Sequence, residues 1–430
     1  MLATLLRPFG AVLVLLCAVR VAIPLAALAA SGSDLPGLPR YEYEPTPGDG
    51  SAYYAAAREF LASWGRLGRV SLALIALGFL AGAFLLLRAW TRRPRLRPVC
   101  LAAAALLVAV VLAAPITQML QTGAGAVGWP LLWALPMLPY RALGLTLDPG
   151  IAFGFGVAVS LLANVVSVVA IAYAGRQATR RPAVGLLAAA VFAFWPLLTG
   201  IAGGSRAWEN GTWHVDAGLH MYTEPVSTAL VAVALAILVS SSAGSTGLVA
   251  AGIAAGLAVT VRPTNGIFAL AAFLLVSGRN RLYYLAGALA VAPIPVAFWP
   301  RRYGYQLTGS PQPGGLGPEA QFSPDYFVSS WSDSLLFTPR VLAILVPLAL
   351  VGAFLVRSRR VALLLGASAL ANPILYSFFW ATEQHPRYLY ASLPATLVLW
   401  AAGVVGLTLG LRKGLEARTK GRRDPNMISA

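Results

Sequence analysis

Charged residues are scarce in this chain, and that scarcity excludes a water-soluble protein. Asp, Glu, Lys and Arg make up 11% of the 430 residues, whereas 58% are hydrophobic. Soluble proteins carry about 25% charged residues. Because so few charges cannot cover a surface that faces water, most of the chain is expected to lie in lipid.

Cysteine and nucleotide-binding sequence are also lacking. Cys17 and Cys100 fall in separate apolar stretches, so no disulfide framework is expected. The sequence contains no glycine-rich nucleotide-binding loop and no polar stretch long enough for a cytoplasmic globular domain. Energy for any reaction is therefore expected to come from a lipid-borne or extracytoplasmic substrate.

Long apolar runs are what the chain has instead. Runs of roughly 17–25 apolar residues predict transmembrane helices. The sequence therefore predicts an all-α, polytopic membrane protein with about twelve (11–13) transmembrane helices. The predicted spans cover residues 9–30, 69–88, 98–118, 150–174, 183–199, 223–241, 245–261, 263–278, 282–298, 341–356, 361–380 and 388–411.

The apolar segment 126–145 is predicted not to cross the membrane as a straight helix. It contains Pro130, Pro136 and Pro139, and proline interrupts a helix by removing a hydrogen bond and clashing with the preceding turn. A re-entrant or interfacial segment fits this pattern. A crossing here would also move the loop around Arg176 to the outside, which the distribution of positive charge opposes.

Lys and Arg cluster in loops between the predicted spans, and such loops face the cytoplasm. Both termini are then cytoplasmic in a plasma-membrane protein, with residues 1–411 as one transmembrane domain and 412–430 as a basic tail. The net charge of +17 is thus a signal of topology, and nucleic acid is not an expected partner. The basic residues placed inside are Arg7, Arg88, Arg92, Arg93, Arg95, Arg97, Arg176, Arg180, Arg181, Arg279, Arg281, Arg357, Arg359, Arg360, Arg412, Lys413, Arg418, Lys420, Arg422 and Arg423.

The same threading places the scarce histidines and most acids on the extracytoplasmic side. All three histidines lie there, and the acids expected inside are Glu416 and Asp424. A proton relay or a transport pathway would bury such groups within the spans. The distribution therefore favours an extracytoplasmic active site. The extracytoplasmic loops of the chain are predicted at about 31–68, 200–222, 299–340 and 381–387.

The first span resembles a secretory signal in its Arg7, its apolar run and the small-residue stretch LAALAASG. Arg20 lies within the run, however, and the apolar core of a signal peptide rarely contains a charge. We therefore expect the span to be retained as a membrane anchor.

The first outer loop carries an acid directly before an amphipathic helix. From Ser51 to Trp64 the apolar residues, Tyr53 among them, recur at helical spacing, which predicts a helix in the membrane interface. Asp49, between two glycines, either caps this helix or serves as a general base at the membrane surface. Glu42 and Glu44 point the same way in an extended segment and form either a second acidic site or a solvated edge.

The second outer loop is dense in groups that bind or transfer protons. His214, Asp216, His220, Tyr222 and Glu224 lie close together in the sequence. Their spacing matches no firm metal-ligand signature, so a divalent cation is an alternative and not a requirement. Glu224, followed by proline, opens the next span, where a carboxylate also compensates the helix dipole. The tyrosines of both loops either stack on a sugar or anchor the protein at the interface.

Four side chains are candidates for binding a phosphate. Arg262 interrupts an apolar stretch in VRPTNG, and Arg387 lies beside His385 in EQHPRYLY. Arg20 falls in the outer half of the first span. An arginine in such a position needs an anionic partner, and phosphate accepts a guanidinium group in a bidentate way. The alternative is an arginine that merely extends to the interface.

Three segments together resemble one known family. They are GDGSAYYAAAREFLAS in the first outer loop, HMYTEPVSTALVAVAL at a middle span and RYLYASLPATLVLW at the last span. This set, in this order, resembles the polyprenyl-phosphate-dependent glycosyltransferases of the GT-C superfamily. The similar groups are the protein O-mannosyltransferases, the aminoarabinose transferases and the actinobacterial mannosyl- and arabinosyltransferases. The resemblance covers the whole architecture, although each motif is short.

The resemblance implies a GT-C-like fold and an inverting transfer of a mannose- or arabinose-like sugar. The donor would be a polyprenyl-phosphate sugar, and the acceptor a hydroxyl group of a glycan, lipid or protein outside the cytoplasm. Asp49 matches the position of the family's catalytic base. Family members commonly carry Asp-Glu or Asp-x-Asp there, whereas Gly50 follows Asp49 here. This departure argues against metal chelation by the loop and leaves the role of a single base intact.

Functions of other classes remain open at this point. A secondary transporter would carry ionisable residues near the bilayer midplane and would consist of two matching halves. This sequence has almost no charge near the midplane and no evident matching halves. A lipid-linked glycan ligase or polymerase would use related chemistry, and a scaffolding membrane protein would need none. Replacing Asp49 with Asn separates them, because a transferase that uses this carboxylate as its base loses activity while folding and insertion persist.

Overall fold

Helices make up almost all of the described part of the chain. The computed structural model describes residues 8–29, 49–120, 122, 124, 126–145, 148–203, 219, 223–240, 243–301, 323–328, 331, 345–378 and 388–423. Within these ranges it contains seventeen α-helices with defined bounds, further helical residues at 325–328, 331 and 388, five 3₁₀ turns and no β-strand. The all-α class predicted from the apolar runs is therefore confirmed for these residues.

The α-helices are numbered here in chain order. Helices α1 to α9 are Pro8–Ala29, Asp49–Arg66, Gly68–Arg92, Arg97–Ile116, Gly128–Ala134, Leu138–Ala142, Pro149–Thr179, Pro182–Ala193 and Trp195–Gly203. Helices α10 to α17 are Glu224–Leu238, Ser245–Val261, Gly266–Leu275, Asn280–Ala290, Pro293–Phe298, Leu345–Leu355, Arg359–Tyr376 and Leu393–Arg423.

Six helical stretches are long and apolar enough to cross a membrane, and five shorter apolar helices accompany them. The chain is therefore a helical, multi-pass membrane protein. Each of the twelve predicted spans overlaps at least one of the helices, but the number of crossings stays a prediction, because helix length and composition alone do not fix it. The six stretches are Pro8–Ala29, Gly68–Arg92, Pro94–Ile116, Pro149–Thr179, Asn280–Arg301 and Tyr390–Arg412.

Two spans predicted as continuous helices are interrupted, and proline is the cause. The predicted span 183–199 consists of α8 and α9, which are separated at Phe194. Pro196 at the start of α9 has no N–H, and its ring clashes with the carbonyl four residues earlier. The predicted span 282–298 is divided in the same way before Pro293, where α13 ends and α14 begins.

Segment 126–145 is folded into two short helices, α5 and α6, joined by a 3₁₀ turn over Leu135–Met137. The three prolines noted in the sequence lie in these elements, so no continuous helix forms. The segment is not among the six stretches long enough to cross. Its position relative to a membrane stays a prediction.

Paired glycines hold three of the helix crossings at very short distance. A methyl group added at Gly252 of α11 would lie 2.0 Å from the carbonyl oxygen of Tyr284 in α13. The backbones therefore touch, which only a residue without a side chain permits. Each crossing uses one glycine from each helix: Gly175 with Gly185, Gly252 with Gly287, and Gly352 with Gly403.

Contacts between loops define the two ends of the helix bundle. At one end, the backbone N–H of Arg357 donates to the carbonyl of Ala178 at 2.8 Å, and its side chain donates to the carbonyl of Val239. These positions fall in or beside loops predicted to be cytoplasmic. At the other end, the N–H of Thr122 donates to the carbonyl of Arg301 at 2.9 Å. The candidate site lies at this second end, which we call the Thr122 end.

Candidate functional site

Arg262 is set in place by the residue that follows it. Helix α11 ends at Val261, and Arg262 takes an extended conformation with φ −149° and ψ 107°. The cause is Pro263, because proline disfavours the helical conformation in the residue before it. The side chain thereby leaves the axis of α11 and turns toward the start of α10 and the end of α16.

The guanidinium group of Arg262 is held from several sides. Nη1 donates to Oε1 of Glu224 at 2.8 Å, and Nη2 donates to the hydroxyl of Tyr376 at 2.9 Å. Its central carbon lies 4.9 Å from the ring centre of Tyr388 and 5.4 Å from that of Tyr376. These distances allow cation–π attraction as well as the ion pair. Only 7% of Arg262 is exposed.

Glu224 is the buried anion of this pair. It is the first residue of α10, where the free N–H groups of the helix favour a negative charge. The hydroxyl of Thr223 lies 3.3 Å from its second carboxylate oxygen, and 3% of Glu224 is exposed. Since an isolated buried charge is very costly, Glu224 and Arg262 depend on each other. Helix α10 begins at Glu224, as the sequence predicted.

Two tyrosines complete the enclosure of Arg262. The rings of Tyr376 and Tyr388 stack with centroids 4.6 Å apart and planes 8° from parallel. The hydroxyl of Tyr376 accepts from Arg262 and donates to Oγ1 of Thr264 at 3.3 Å. The end of α16, the segment before α17 and the 3₁₀ turn after α11 therefore meet at one guanidinium group.

A second buried arginine lies in α1. Arg20 is fully buried, and its Nη2 donates to Oδ1 of Asn164 in α7 at 3.0 Å and to the hydroxyl of Tyr390. Its guanidinium carbon lies 4.7 Å from the ring centre of Phe192. The partners that these contacts identify are neutral oxygen atoms and an aromatic ring, so the cation is stabilised by dipoles at this point.

The segment RYLY connects the two arginines. Tyr388 packs on Arg262, and Tyr390, two residues later, bonds to Arg20. Leu389 between them is fully buried in the main hydrophobic cluster. Two aromatic residues separated by a buried leucine thus reach two different cations. Arg387 drew attention to this segment in the sequence, whereas the described contacts are made by its tyrosines.

The amphipathic helix α2 lies at the Thr122 end. Its buried apolar residues are Ala56, Ala57, Phe60 and Leu61, the face that the helical spacing predicted. Tyr54 packs against Trp133 and Phe153 with ring centroids 5.4 and 5.0 Å away. Helix α2 therefore rests on the aromatic part of α5 and on the start of α7.

A carboxylate anchors α2 to the end of α4. Glu59 accepts a hydrogen bond from the N–H of Leu120 at 2.7 Å and is ion-paired with Arg66. Arg66 in turn donates to the carbonyl of Gln118 at 2.9 Å. Partial burial raises the pKa of Glu59, but the hydrogen bonds from Arg66 and Leu120 outweigh it, so the pKa of this carboxyl lies below its usual range.

Gly128 brings α5 against the Arg262 turn. A methyl group on Gly128 would lie 2.7 Å from the backbone nitrogen of Val261, the residue before Arg262. Helix α2 packs on α5, and α5 touches the end of α11, so α2 and the Arg262–Glu224 pair belong to one continuous packed region. This is the relation between the first outer loop and Arg262 that the sequence analysis could not establish.

Several predicted site residues fall elsewhere. Asp49 is the first residue of α2, and its side chain lies outside the described part of the structure. Tyr53 is half-buried on α2 beside the aromatic cluster. Leu219 is fully buried against α1 and α7, which places the residue before His220 near these helices. The predicted residues outside the described ranges are Glu42, Glu44, His214, Asp216, His220, Tyr222, His385 and Arg387.

The roles assigned to these residues stay predictions. For Arg262 and Arg20 the structure gives partners within the protein, Glu224 and Asn164 in particular. Within the described ranges no group of three or more His, Cys, Asp or Glu side chains is placed to hold a metal ion. The histidine-rich second outer loop lies outside those ranges, so a divalent-cation site in that loop stays a hypothesis.

Asn164, Tyr376 and Tyr390 are the participants that the sequence analysis missed. Asn164 gave a usable signal, because an amide within a long apolar run is expensive in a membrane and marks a polar contact. Tyr376 gave none, since an aromatic residue at the end of a span is usual at the membrane interface.

No family model, no curated protein and no solved structure matches this chain. The fold and the site therefore define a class and not a particular protein. The class is a helical, multi-pass membrane protein whose described part contains two buried arginines, Arg20 in the first helix and Arg262 beside Glu224 at the Thr122 end.

Proposed function

We propose that the chain is an integral membrane glycosyltransferase. In this proposal a mannose- or arabinose-like sugar moves from a polyprenyl phosphate to a hydroxyl group of a glycan, lipid or protein acceptor. The reaction takes place on the extracytoplasmic side of the plasma membrane. The fold would then be GT-C-like, with twelve spans and both termini in the cytoplasm.

One observation carries the proposal. Glu224 of the middle motif and Tyr388 of the late motif meet at the guanidinium group of Arg262. Two of the three segments on which the GT-C resemblance rests therefore converge on a single cation. The third segment forms α2, which packs on α5 beside the same turn. This convergence is what a shared active site would require, and it supports the proposal.

The proposed reaction has one proton transfer and one displacement. Asp49 accepts the proton of the acceptor hydroxyl, whose oxygen forms a bond to the anomeric carbon of the sugar. The bond from that carbon to the phosphate oxygen breaks on the opposite face, and the polyprenyl phosphate leaves with the electron pair. The configuration at the anomeric carbon is inverted. The base is expected to contribute about 10²–10⁴-fold to the rate.

The departing phosphate gains negative charge, and fixed cations stabilise that charge most effectively in the transition state. Arg262, Arg387 and His385 are the proposed cations, with Arg20 as a fourth. Glu224 and the two tyrosines hold Arg262 in one orientation, which lowers the cost of arranging it during the reaction. Glu42, Glu44, Tyr53, His214, Asp216, His220 and Tyr222 are the proposed acceptor-side residues.

A comparison of Asp49→Asn with Asp148→Asn tests the proposal. Asp148 caps α7 with Oδ1, which accepts from Gly150 at 2.7 Å, and asparagine preserves such a cap. Cells that lack the protein are complemented with each variant, and their envelope glycolipids and glycoproteins are analysed by mass spectrometry. A hexose or pentose missing without the protein should return with Asp148→Asn and not with Asp49→Asn.

The membrane abundance of both variants provides the control for folding. A glycan profile that is the same with and without the protein would overturn the proposal. A profile that Asp49→Asn restores in full would remove Asp49 as the base while leaving transferase activity possible through another acid.

Transport is the second candidate, and Arg20 is the observation that favours it. A fully buried cation in the first helix, bonded to Asn164 in α7, is the kind of residue that marks a substrate pathway. Under this alternative, Arg20→Gln should abolish uptake or export by proteoliposomes, whereas Asp49→Asn should leave it unchanged. The glycosyltransferase proposal predicts the opposite sensitivity to Asp49→Asn.

A further inference from the structure

A cavity separates α2 from the end of α6. Its volume is about 720 Å³, which is within the range of small-molecule sites. Helix α2 forms one wall, and the segment from the end of α5 to the start of α7 forms the other. The residues that matter here are Tyr54, Arg58 and Leu61 from α2, and Met137, Arg141 and Gly144 from the opposite wall.

Two arginines face this cavity. Arg58 and Arg141 are contributed by different walls, and no acidic residue is among those described as lining it. The two ion pairs within the described ranges involve Arg66 and Arg262. Arg58 and Arg141 therefore bring two positive charges to one concave surface, which attracts an anion.

Arg141 is placed by a well-defined turn. Gly144 has a left-handed φ of 68°, and its N–H donates to the carbonyl of Arg141 at 3.0 Å. The N–H of Leu145 donates to the carbonyl of Tyr140 at 2.9 Å. This pair of bonds is the Schellman motif, which ends a helix and satisfies its last carbonyl groups. The backbone that carries Arg141 is therefore fixed.

The arginine side chains are themselves positioned against α2. Arg58 lies over the ring of Tyr54, with its guanidinium carbon 5.7 Å from the ring centre. A guanidinium nitrogen of Arg141 lies 3.5 Å from the place that a methyl group on Gly65 would occupy. Both cations are exposed, so their remaining N–H groups are accessible from the cavity.

The cavity is expected at the depth of lipid headgroups, because it lies beside the ends of predicted spans. Helix α3 begins at Gly68, α4 ends at Ile116 and α7 begins at Pro149, and all three belong to stretches long enough to cross a membrane. Helix α2 directly precedes α3, and segment 128–142 lies between the end of α4 and the start of α7. If these stretches cross the membrane as predicted, the cavity walls lie at the boundary between hydrocarbon and water, where the phosphate groups of lipids are found.

We propose that this cavity binds the phosphate group of a membrane lipid, with Arg58 and Arg141 as its two cationic ligands. Arginine presents a planar set of N–H donors that matches phosphate oxygens, and two guanidinium groups from opposite walls can hold one phosphate between them. The lipid tail would lie along the apolar exterior of the adjoining spans. The inference concerns binding alone, so it does not depend on the proposed glycosyl transfer.

Titration calorimetry on the purified full chain in a maltoside detergent, which contains no phosphate, tests the proposal. The probes are farnesyl phosphate, dioctanoyl phosphatidic acid, inorganic phosphate and farnesol. At least one of the two lipid phosphates should bind, and farnesol should bind far more weakly. Arg58→Gln and Arg141→Gln should each lower the affinity about tenfold or more, because each removes charge-assisted hydrogen bonds.

Arg69→Gln is the matched control. Arg69 is an exposed arginine at the start of α3 and does not line the cavity, so its replacement should change the affinity less than about twofold. Arg141→Lys, which keeps the charge and loses the planar donor set, should give an intermediate affinity. All variants are compared for thermal unfolding, so that lost binding is separated from lost folding.

The probes also identify the source of the phosphate. Arginine-dependent binding of farnesyl phosphate alone indicates a prenyl-phosphate lipid, and binding of phosphatidic acid alone indicates an ordinary phospholipid. Equal binding of farnesol and farnesyl phosphate, equal losses in Arg69→Gln and Arg141→Gln, or binding of inorganic phosphate only would overturn the proposal. Because no turnover is measured, a failed test of Asp49 leaves this inference standing. Binding of farnesyl phosphate that is independent of Arg58 and Arg141 would overturn this inference and leave the proposed function standing.

Discussion

Arg262 and Glu224 form a buried ion pair of 2.8 Å that joins the end of α11 to the start of α10. The side chains are 9% and 4% exposed, so water screens neither charge well. A pair in this setting adds little net stability over an apolar pair, but removing one partner leaves the other charge uncompensated. The pair therefore acts mainly by fixing how these two helix ends meet.

Glu224→Gln is expected to destabilise the protein by about 3–5 kcal/mol, because it leaves the Arg262 cation buried without an anion. The measurement is thermal unfolding in detergent. Arg262→Met should cost a similar amount by stranding Glu224. The double variant should lose clearly less than the sum of the two single losses, since neither charge is then left alone. Simple additivity would contradict a direct interaction between them.

Tyr376 holds Arg262 with its hydroxyl group, and Tyr388 contacts Arg262 with its ring. Tyr376→Phe removes the acceptor of the 2.9 Å bond from Nη2 and should cost about 1–3 kcal/mol. Tyr388→Phe keeps the ring on which the guanidinium group packs and should cost less than Tyr388→Ala, which loses the cation–π contact and the ring stacking. Thermal unfolding of the three variants checks the order. A Tyr388→Phe loss as large as that of Tyr388→Ala would contradict it.

Much of the helix pattern was predictable because it depends on local properties of the sequence. Apolar runs give spans, and Pro225 after Glu224 gives the first turn of α10. The spacing of Ala56, Ala57, Phe60 and Leu61 gives the buried face of α2. Each of these properties can be evaluated within a window of twenty residues. The helix breaks at Phe194 and before Pro293 could also have been predicted, from Pro196 and Pro293. They were missed because the continuous apolar runs were given more weight than these prolines.

The partners of the arginines could not be predicted, because they come from distant parts of the chain. Arg262 meets Glu224, Tyr376 and Tyr388, and no local pattern encodes such a meeting. The sequence showed only that an arginine near lipid needs an anion, and phosphate and a protein carboxylate satisfy that need equally well. In the structure, the anionic partner of Arg262 is the carboxylate of Glu224.

Low pH should release α2 from the end of α4. The pKa of Glu59 is lowered in the folded protein, so its contribution to stability is complete above the usual carboxyl pKa near 4.5 and is lost as the pH falls through the lowered value. Hydrogen exchange of the α2 amides, corrected for the intrinsic rate, should then rise at acid pH.

Glu59→Gln provides the reference for that experiment. Its α2 amides should exchange faster than those of the original protein at neutral pH and should show no further acid-induced step. An acid-induced step of the same size in Glu59→Gln would assign the transition to another group. The Glu59–Arg66 pair is partly exposed, so we expect its effect to be confined to α2 and not to shift global unfolding by more than about 1 kcal/mol.

Gly128→Ala tests whether α5 and the Arg262 turn are in contact. The added methyl group would lie 2.7 Å from the backbone nitrogen of Val261, and since backbone cannot rotate away as a side chain does, α5 must shift. Overpacking is expected to lower the free energy of unfolding by about 1–3 kcal/mol. The same shift should change the activity that depends on Arg262. Gly78→Ala in α3 is the control, because a methyl group there meets nothing within 4 Å and alanine favours the helix. A Gly128→Ala variant as stable as Gly78→Ala would mean that α5 does not press on this turn, and the packed connection between α2 and the Arg262–Glu224 pair would have to be abandoned.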